Sequence, residues 1–338
     1  MRALMYEGPW EMPLREIAAP EPAAGEVVVR VAAVGVCGSD VHGYTGSTGR
    51  RTPGIVMGHE FAGTVARVGA GVSAYQPGDR VIVHPFKVCG ACPMCLAGRP
   101  NVCLHRAMLG MIYHGAYAEE VAVPERQLFR MPEGLSWDHA ALAEPLAVAL
   151  HAVNRTPLSL METVVIVGAG PIGLLALLSA RLKGAGTVIV TDRSAHRLAL
   201  ARQLGADMAI NVAEQDVVEA VRAATGGLGA HAAIEAVGIT PTVQQALAVT
   251  RIGGHVTWIG NSAPEVTINM QHVVTREITI HGVYGFNEEF GQAIDALASG
   301  RIDVAPLVER VAGLEDGPGL FHELAKGTLE AAKVVLRP

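Results

Sequence analysis

Half of this 338-residue chain is apolar and only 17% is charged, which is too rich in core-forming residues for disorder. That length favours two domains over one. The net charge of −6, from 26 basic and 32 acidic residues interspersed along the chain, argues against nucleic acid or an anionic membrane as partner. The opening MRALMYEGPW lacks the apolar core of a signal peptide, and the longest apolar run, Val164 to Ala180, is broken by Gly168, Gly170, Pro171 and Gly173. A cytoplasmic protein without a membrane span is expected.

The first part of the chain reads as short strands between Gly/Pro turns, the clearest over 27–34, 61–68 and 79–83. It predicts an all-β, barrel-like domain. Between the first two strands lie CGSDVH and then GHE, a stretch that reads as mostly turn and loop. Cys37, His59 and Glu60 offer a thiolate, an imidazole and a carboxylate, a mixture that suits Zn²⁺ with one position left open for water or substrate. Gly58 predicts a tight turn that lets the backbone approach the ion. Taken alone, Cys37 reads as readily as a small buried hydrophobe.

Next comes CGACPMCLAGRPNVC, which supplies Cys89, Cys92, Cys95 and Cys103. Four thiolates within one lobe complete a tetrahedral zinc shell with no open position, a structural site. Iron–sulfur ligation is the alternative that the same spacing allows, and free or oxidised thiols are another. From 137 the pattern turns helical, and Glu144 lies among Ala, Leu and Val just before Pro145. A carboxylate there needs a partner or a metal, unless it faces solvent at the start of the helix.

A continuous apolar strand over 163–167 then runs into GAGPIG, followed by a helix and a second strand over 187–191 ending at Asp192. Gly168, Gly170 and Gly173, with Pro171 and Ile172 opening the helix, allow a pyrophosphate to rest on the helix N-terminus. Asp192, 24 positions past the first Gly, is placed to accept hydrogen bonds from ribose hydroxyls and to repel a 2′-phosphate, so NAD is favoured over NADP. Arg193 and Arg197 are where such a phosphate would otherwise be received. Strands over 208–212, 232–237, 255–260 and 278–283, with helices over 215–225 and 240–250, continue a doubly wound α/β sheet. A helix over 288–299 follows, and a last strand over 332–336 is expected to return to the first domain. The division is therefore 1–151 and 287–338 for a catalytic domain, with 152–286 inserted as a dinucleotide-binding domain.

With GHEFAGTV, the four-Cys lobe, GDRV, the GAGPIG fingerprint and EPLAVALHA, the chain resembles the zinc-containing medium-chain dehydrogenase/reductase family across essentially its whole length. The Glu in EPLAVALHA resembles the sorbitol and threonine dehydrogenase branch, where alcohol dehydrogenases generally carry Cys. The resemblance implies a Rossmann domain inserted into a GroES-like catalytic domain, and two zinc ions per chain. It also implies Cys37, His59 and Glu60 or Glu144 around a catalytic zinc, with the choice of carboxylate open. Ser39 would take the substrate proton and pass it toward the nicotinamide ribose and His42, while Asp40 would hold the His59 ring from behind.

One departure bears on substrate. Sorbitol dehydrogenases carry an Arg-Tyr pair after the strand matching 278–283, and here Gly285 and Phe286 stand there, which puts sorbitol itself in doubt. Arg50 and Arg51, just before GHE, read as a solvated pair or as contacts to a phosphorylated or acidic substrate. The expected activity is NAD-linked oxidation of a secondary alcohol, polyol or sugar-like, to a ketone, by a homodimer or homotetramer. The alternatives are a threonine-type amino-alcohol or sugar-phosphate dehydrogenase, and a nucleotide-binding regulatory protein on the same fold.

Overall fold

The computed structural model describes residues 1–338, which divide into a discontinuous unit, Met1–Glu144 with Phe290–Pro338, and a contiguous unit, Pro145–Glu289. The first unit is built around the long strand Glu26–Gly35, whose burial pattern leaves little of it exposed. Along one edge it pairs antiparallel with Glu60–Val68. Its other edge is shared: Glu120–Pro124 takes the first half, and the C-terminal strand Lys333–Arg337 takes Val34 and Gly35. Arg80–Val83, Leu128–Arg130 and Val308–Gly313 complete a seven-stranded sheet. Val27, Val29, Phe61, Val65, Val81, Tyr117, Phe321 and Leu336 fill the interior, the β-branched and aromatic residues that pack well on a pleated surface.

The second unit is a six-stranded parallel sheet in the order Met208–Asn211, Thr187–Asp192, Thr163–Val167, Ala230–Glu235, Thr250–Trp258, Thr279–Gly282. This is the doubly wound order with its switch point beside the first strand. The central strands are apolar on both faces because helices cover both, and the core gathers Val165, Ile189, Ala233, Leu247 and Val256. No helix of the chain is long and apolar enough to cross a membrane.

Two local readings differ from the sequence expectation. Residues Gly38–Tyr44 form a helix, not a loop, with Cys37 at its N-cap position. Its two Gly lower helix propensity and hid it, while burial of Asp40 and Tyr44 against the unit holds it. The helical stretch from 137 is two helices, Trp137–Ala141 and Ala143–Arg155, which meet at Leu142. The broken pattern turns Glu144 inward; it is 6% exposed and does not face solvent.

Within the second unit, His151 Nδ1 lies 3.0 Å from Glu289 Oε1, and Glu289 also accepts from Asn154 Nδ2 at 3.2 Å and the Asn287 N–H at 2.9 Å. Burial pushes this carboxyl up, but its hydrogen bonds from His151, Asn287 and Asn154 hold it down at about 2. A folded value below the unfolded one means its stabilisation is complete above the ordinary glutamate range and is lost as the pH falls through about 2. Glu289→Gln is therefore expected to cost about 1–3 kcal/mol near neutrality. The gap from the parent protein, measured by denaturant unfolding, should close between about pH 4.5 and the acid limit; a gap that is the same at every pH would show that the carboxylate charge is not what matters.

Candidate active site

Gly35 pairs with Glu60 and Val335 pairs with Gly35, so three adjacent strands deliver Cys37, His59–Glu60 and Lys333 to one place. The ligand atoms of Cys37, His59 and Glu60 lie within 4.8 Å of one another, and Glu144 is not part of that trio. Lys333 Nζ donates to the Val36 carbonyl at 3.0 Å and pairs with Glu60 Oε2, and both side chains are buried. Gly35 makes this possible, because a Cβ there would collide with the Glu60 carboxylate and with Lys333 Cε. Sequence reading missed Lys333. Only its position in an otherwise apolar final strand could have signalled it.

Asp40 is fully buried. Its Oδ1 accepts from Arg51 Nη2 at 2.9 Å, its Oδ2 from the Tyr117 hydroxyl at 2.7 Å, and Oδ2 faces His59 Nδ1 at 3.4 Å. Burial pushes the Asp40 carboxyl up, yet His59, the Arg51 guanidinium and the Tyr117 hydroxyl together hold it well below the usual range. Burial likewise pushes His59 down, and Asp40 and Cys37 outweigh it, so the imidazole is raised well above its ordinary value. A place that so favours positive charge on His59 also favours a metal cation. Burial lifts the Glu144 carboxyl to about 7.

These are the buried charged side chains of the unit: Arg51 and Lys333 as cations, Asp40, Glu60 and Glu144 as acids, with His59 among them and the Cys37 thiol beside them. With Cys37 as thiolate, Glu144 ionised and His59 neutral, as a metal ligand must be, four acids face two cations. The deficit matches one divalent ion, and the donor set of sulfur, nitrogen and oxygen fits zinc.

Arg51 corrects the sequence reading, for it is neither solvated nor free to meet a substrate; only Arg50 of the pair is exposed. Gly58 is corrected too. Its φ of +95° requires glycine, but the space it leaves is taken by Tyr117, whose ring and backbone N a Cβ would approach to 2.9 Å. Ser39 is exposed and its Oγ donates to Cys37 Sγ at 3.3 Å, with His42 exposed one turn further along the same helix. Phe286 is 1% exposed, so its ring fills a core position, and Gly285 has a positive φ of 57°.

Cys89, Cys92, Cys95 and Cys103 converge, with Sγ separations of 4.0 Å for Cys89–Cys95, 3.8 Å for Cys92–Cys103 and 3.5 Å for Cys89–Cys103. Tetrahedral zinc with bonds of about 2.3 Å puts its sulfurs about 3.8 Å apart. The spacing is too wide for disulfides and too narrow to admit the inorganic sulfides of an iron–sulfur core. Backbone N–H groups of Cys92, Cys89 and His105 point at these sulfurs, as suits thiolates.

In the second unit each fingerprint glycine has its own reason. Gly168 has φ +102° and a Cβ there would strike Val237; a Cβ on Gly173 would strike the Gly168 carbonyl; a Cβ on Gly170 would meet nothing. Gly170 is the N-cap of the helix Pro171–Lys183, opened by Pro171 and Ile172, and its missing side chain leaves that N-terminus open to a dinucleotide's pyrophosphate. Asp192 Oδ1 accepts from the Arg193 and Ser194 N–H groups at 2.8 and 2.9 Å, and Oδ2 from the Ala169 N–H at 2.7 Å. The carboxylate thus ties the fingerprint turn to its own loop and keeps one free lone pair, on Oδ2. Arg193 is exposed, and Arg197 lies in the first turn of the next helix, Ala195–Gln203.

Residues 23–133 match the alcohol dehydrogenase GroES-like domain, and residues 171–299 match the zinc-binding dehydrogenase family. The chain is 36% identical to a sorbitol dehydrogenase of Bacillus subtilis, covering 100% of this chain and 97% of that one. A zinc-binding dehydrogenase of Sinorhizobium meliloti, solved with NADP bound, superposes with a TM-score of 0.94 at 34% identity, covering 100% and 99% of the two chains. Galactitol-1-phosphate dehydrogenase from Escherichia coli also gives a TM-score of 0.94, at 27% identity and full coverage of both. The chain belongs to the zinc-containing medium-chain dehydrogenase/reductase family, in its polyol dehydrogenase-like branch. It is a zinc-dependent oxidoreductase of the alcohol dehydrogenase kind.

The reason for Gly58 can be separated from backbone strain alone. Gly54 also has positive φ, at +90°, but a Cβ there meets nothing. Gly54→Ala is expected to cost about 1–2 kcal/mol, the left-handed penalty. Gly58→Ala should cost about 2–4 kcal/mol, because the Tyr117 ring must also move. Equal losses in denaturant unfolding would show that Tyr117 does not dictate the glycine.

Proposed function

We propose that the protein oxidises a secondary alcohol of a polyol or sugar-like molecule to a ketone, with Cys37, His59 and Glu60 holding a catalytic zinc and NAD as the hydride acceptor. The observation that carries this is the convergence of one thiol, one imidazole and one carboxylate, from Cys37, His59 and Glu60, within 4.8 Å of one another in a buried, acid-rich setting. Glu60 is the carboxylate within the trio, and Glu144, whose carboxyl burial lifts to about 7, stands outside it as a reserve acid. When bound, the zinc supplies Lewis acidity toward the substrate hydroxyl and the dinucleotide supplies the hydride acceptor. Ser39 Oγ would take the hydroxyl proton as its own proton passes on toward the nicotinamide ribose and His42, whose exposed imidazole releases it to water. Asp40 steadies the His59 ring from the far side, and Lys333 holds Glu60 Oε2.

Burial of Arg51 withdraws one of the two arginines that a phosphorylated substrate could have met, which favours an uncharged polyol over a sugar phosphate. A homo-oligomer fits the surface of the second unit, where Met270 and Val274 are 72% and 66% exposed shortly before the sheet's edge strand Thr279–Gly282. The substrate is tested by an NAD-reduction screen across polyols, sugar phosphates, amino alcohols and simple secondary alcohols. Turnover confined to amino alcohols or sugar phosphates would overturn the polyol reading.

Metal analysis should give two zinc ions per chain, one slow to leave for a chelator, from the closed four-Cys shell, and one quick. Cys37→Ala should hold one zinc, bind NAD normally and show no turnover. A single zinc in the parent protein, or an active Cys37→Ala, would sink the two-site assignment.

Cofactor choice rests on Asp192. Asp192→Ala removes the open Oδ2 acceptor and frees the Ala169, Arg193 and Ser194 N–H groups. NAD binding should weaken by about 1.5–3 kcal/mol, roughly ten- to a hundredfold. The ratio of NAD to NADP efficiency should fall, with Arg193 and Arg197 unopposed. A parent protein that prefers NADP, or a ratio that does not move, would refute Asp192 as the ribose reader.

A further inference from the structure

Arg51 is the one buried cation near the cluster that touches none of the proposed metal ligands. Its side chain is 2% exposed and its Nη2 donates to Asp40 Oδ1 at 2.9 Å, while Nε has no partner. Gly43, three residues after Asp40 on the same helix, opens the slot, since a Cβ there would come within 2.8 Å of Arg51 Cγ and 3.2 Å of Nε. The helix therefore presents Asp40 on one turn and a gap for Arg51 on the next. An arginine so buried, with one acceptor and a cleared channel, serves that acceptor.

Asp40 in turn has its other oxygen between the Tyr117 hydroxyl and His59 Nδ1. An ionised carboxylate 3.4 Å from Nδ1 favours the neutral tautomer with its proton on that nitrogen, which would leave the Nε2 lone pair for a metal. We propose that Arg51 is a positioning residue for the zinc site: by pinning Asp40 it fixes the orientation of the His59 ring. This rests on the zinc reading given above. Arg51 touches neither metal nor substrate, and its effect passes through Asp40 alone.

The test uses the full-length protein, with affinity for the labile zinc measured by chelator competition and the site's geometry by the visible spectrum of the cobalt-substituted form. Arg51→Met should weaken the labile zinc ten- to a hundredfold and alter the cobalt bands, while the four-Cys zinc is unchanged. Arg51→Lys, which keeps the charge, should recover most of that loss. Because Arg51→Met leaves a lone buried carboxylate and can fail to fold, the double variant Arg51→Met/Asp40→Asn removes both charges together. Its zinc affinity should equal that of Asp40→Asn, since nothing remains for Arg51 to hold. Parent-like zinc affinity in folded Arg51→Met, or a further loss in the double variant beyond Asp40→Asn, overturns the proposal and leaves the zinc reading intact. A parent protein with zinc only in the four-Cys lobe overturns both.

Discussion

A buried carboxylate without a partner costs several kcal/mol, and the first unit buries three of them within reach of one cysteine and one histidine. That concentration of charge constrains the fold around it. Glu60 is tolerable because Lys333 arrives from the other end of the chain, and Asp40 because Arg51 and Tyr117 close on it from two sides. Each partner rides on an element that must sit in register. A slip of one residue in the pairing of Lys333–Arg337 with Glu26–Gly35 would turn Lys333 to the opposite face and leave Glu60 alone.

Space is as tightly allotted as charge. Gly35, Gly43 and Gly58 are each glycine because a side chain of the cluster occupies the volume a Cβ would need: Glu60 with Lys333, Arg51, and Tyr117 in turn. In the second unit Gly168 and Gly173 yield to the protein itself, and Gly170 yields to nothing the chain contains. Glycine at these positions marks packed neighbours in both units, while Gly170 keeps open the space in front of a helix N-terminus.

The sites legible from sequence were those whose parts lie close together along the chain. Cys89 to Cys103 and GAGPIG are local, so spacing alone specifies what they can bind. The trio Cys37, His59 and Glu60 was legible by chemical type, and the structure brings it within one ion's reach. The helix Gly38–Tyr44 was not, because its Gly content argues for loop and only tertiary burial makes it a helix. Arg51 was misread for a related reason: beside Arg50, in a Gly- and Thr-rich stretch, nothing distinguishes a buried arginine from a solvated one.

Sequence was sufficient for the class of fold, the four-Cys lobe and the nucleotide fingerprint, because periodicity and short spacings are set by bond lengths and helix or strand geometry. It could not say which carboxylate lies nearest Cys37 and His59, nor what neutralises the acids around them. Those answers depend on Lys333 lying next to Glu60 across 273 residues of chain, and on Arg51 reaching Asp40 through the gap at Gly43. Charge compensation in a low-dielectric interior is a property of distance in space, and strand register and side-chain volume set that distance only once the chain has folded.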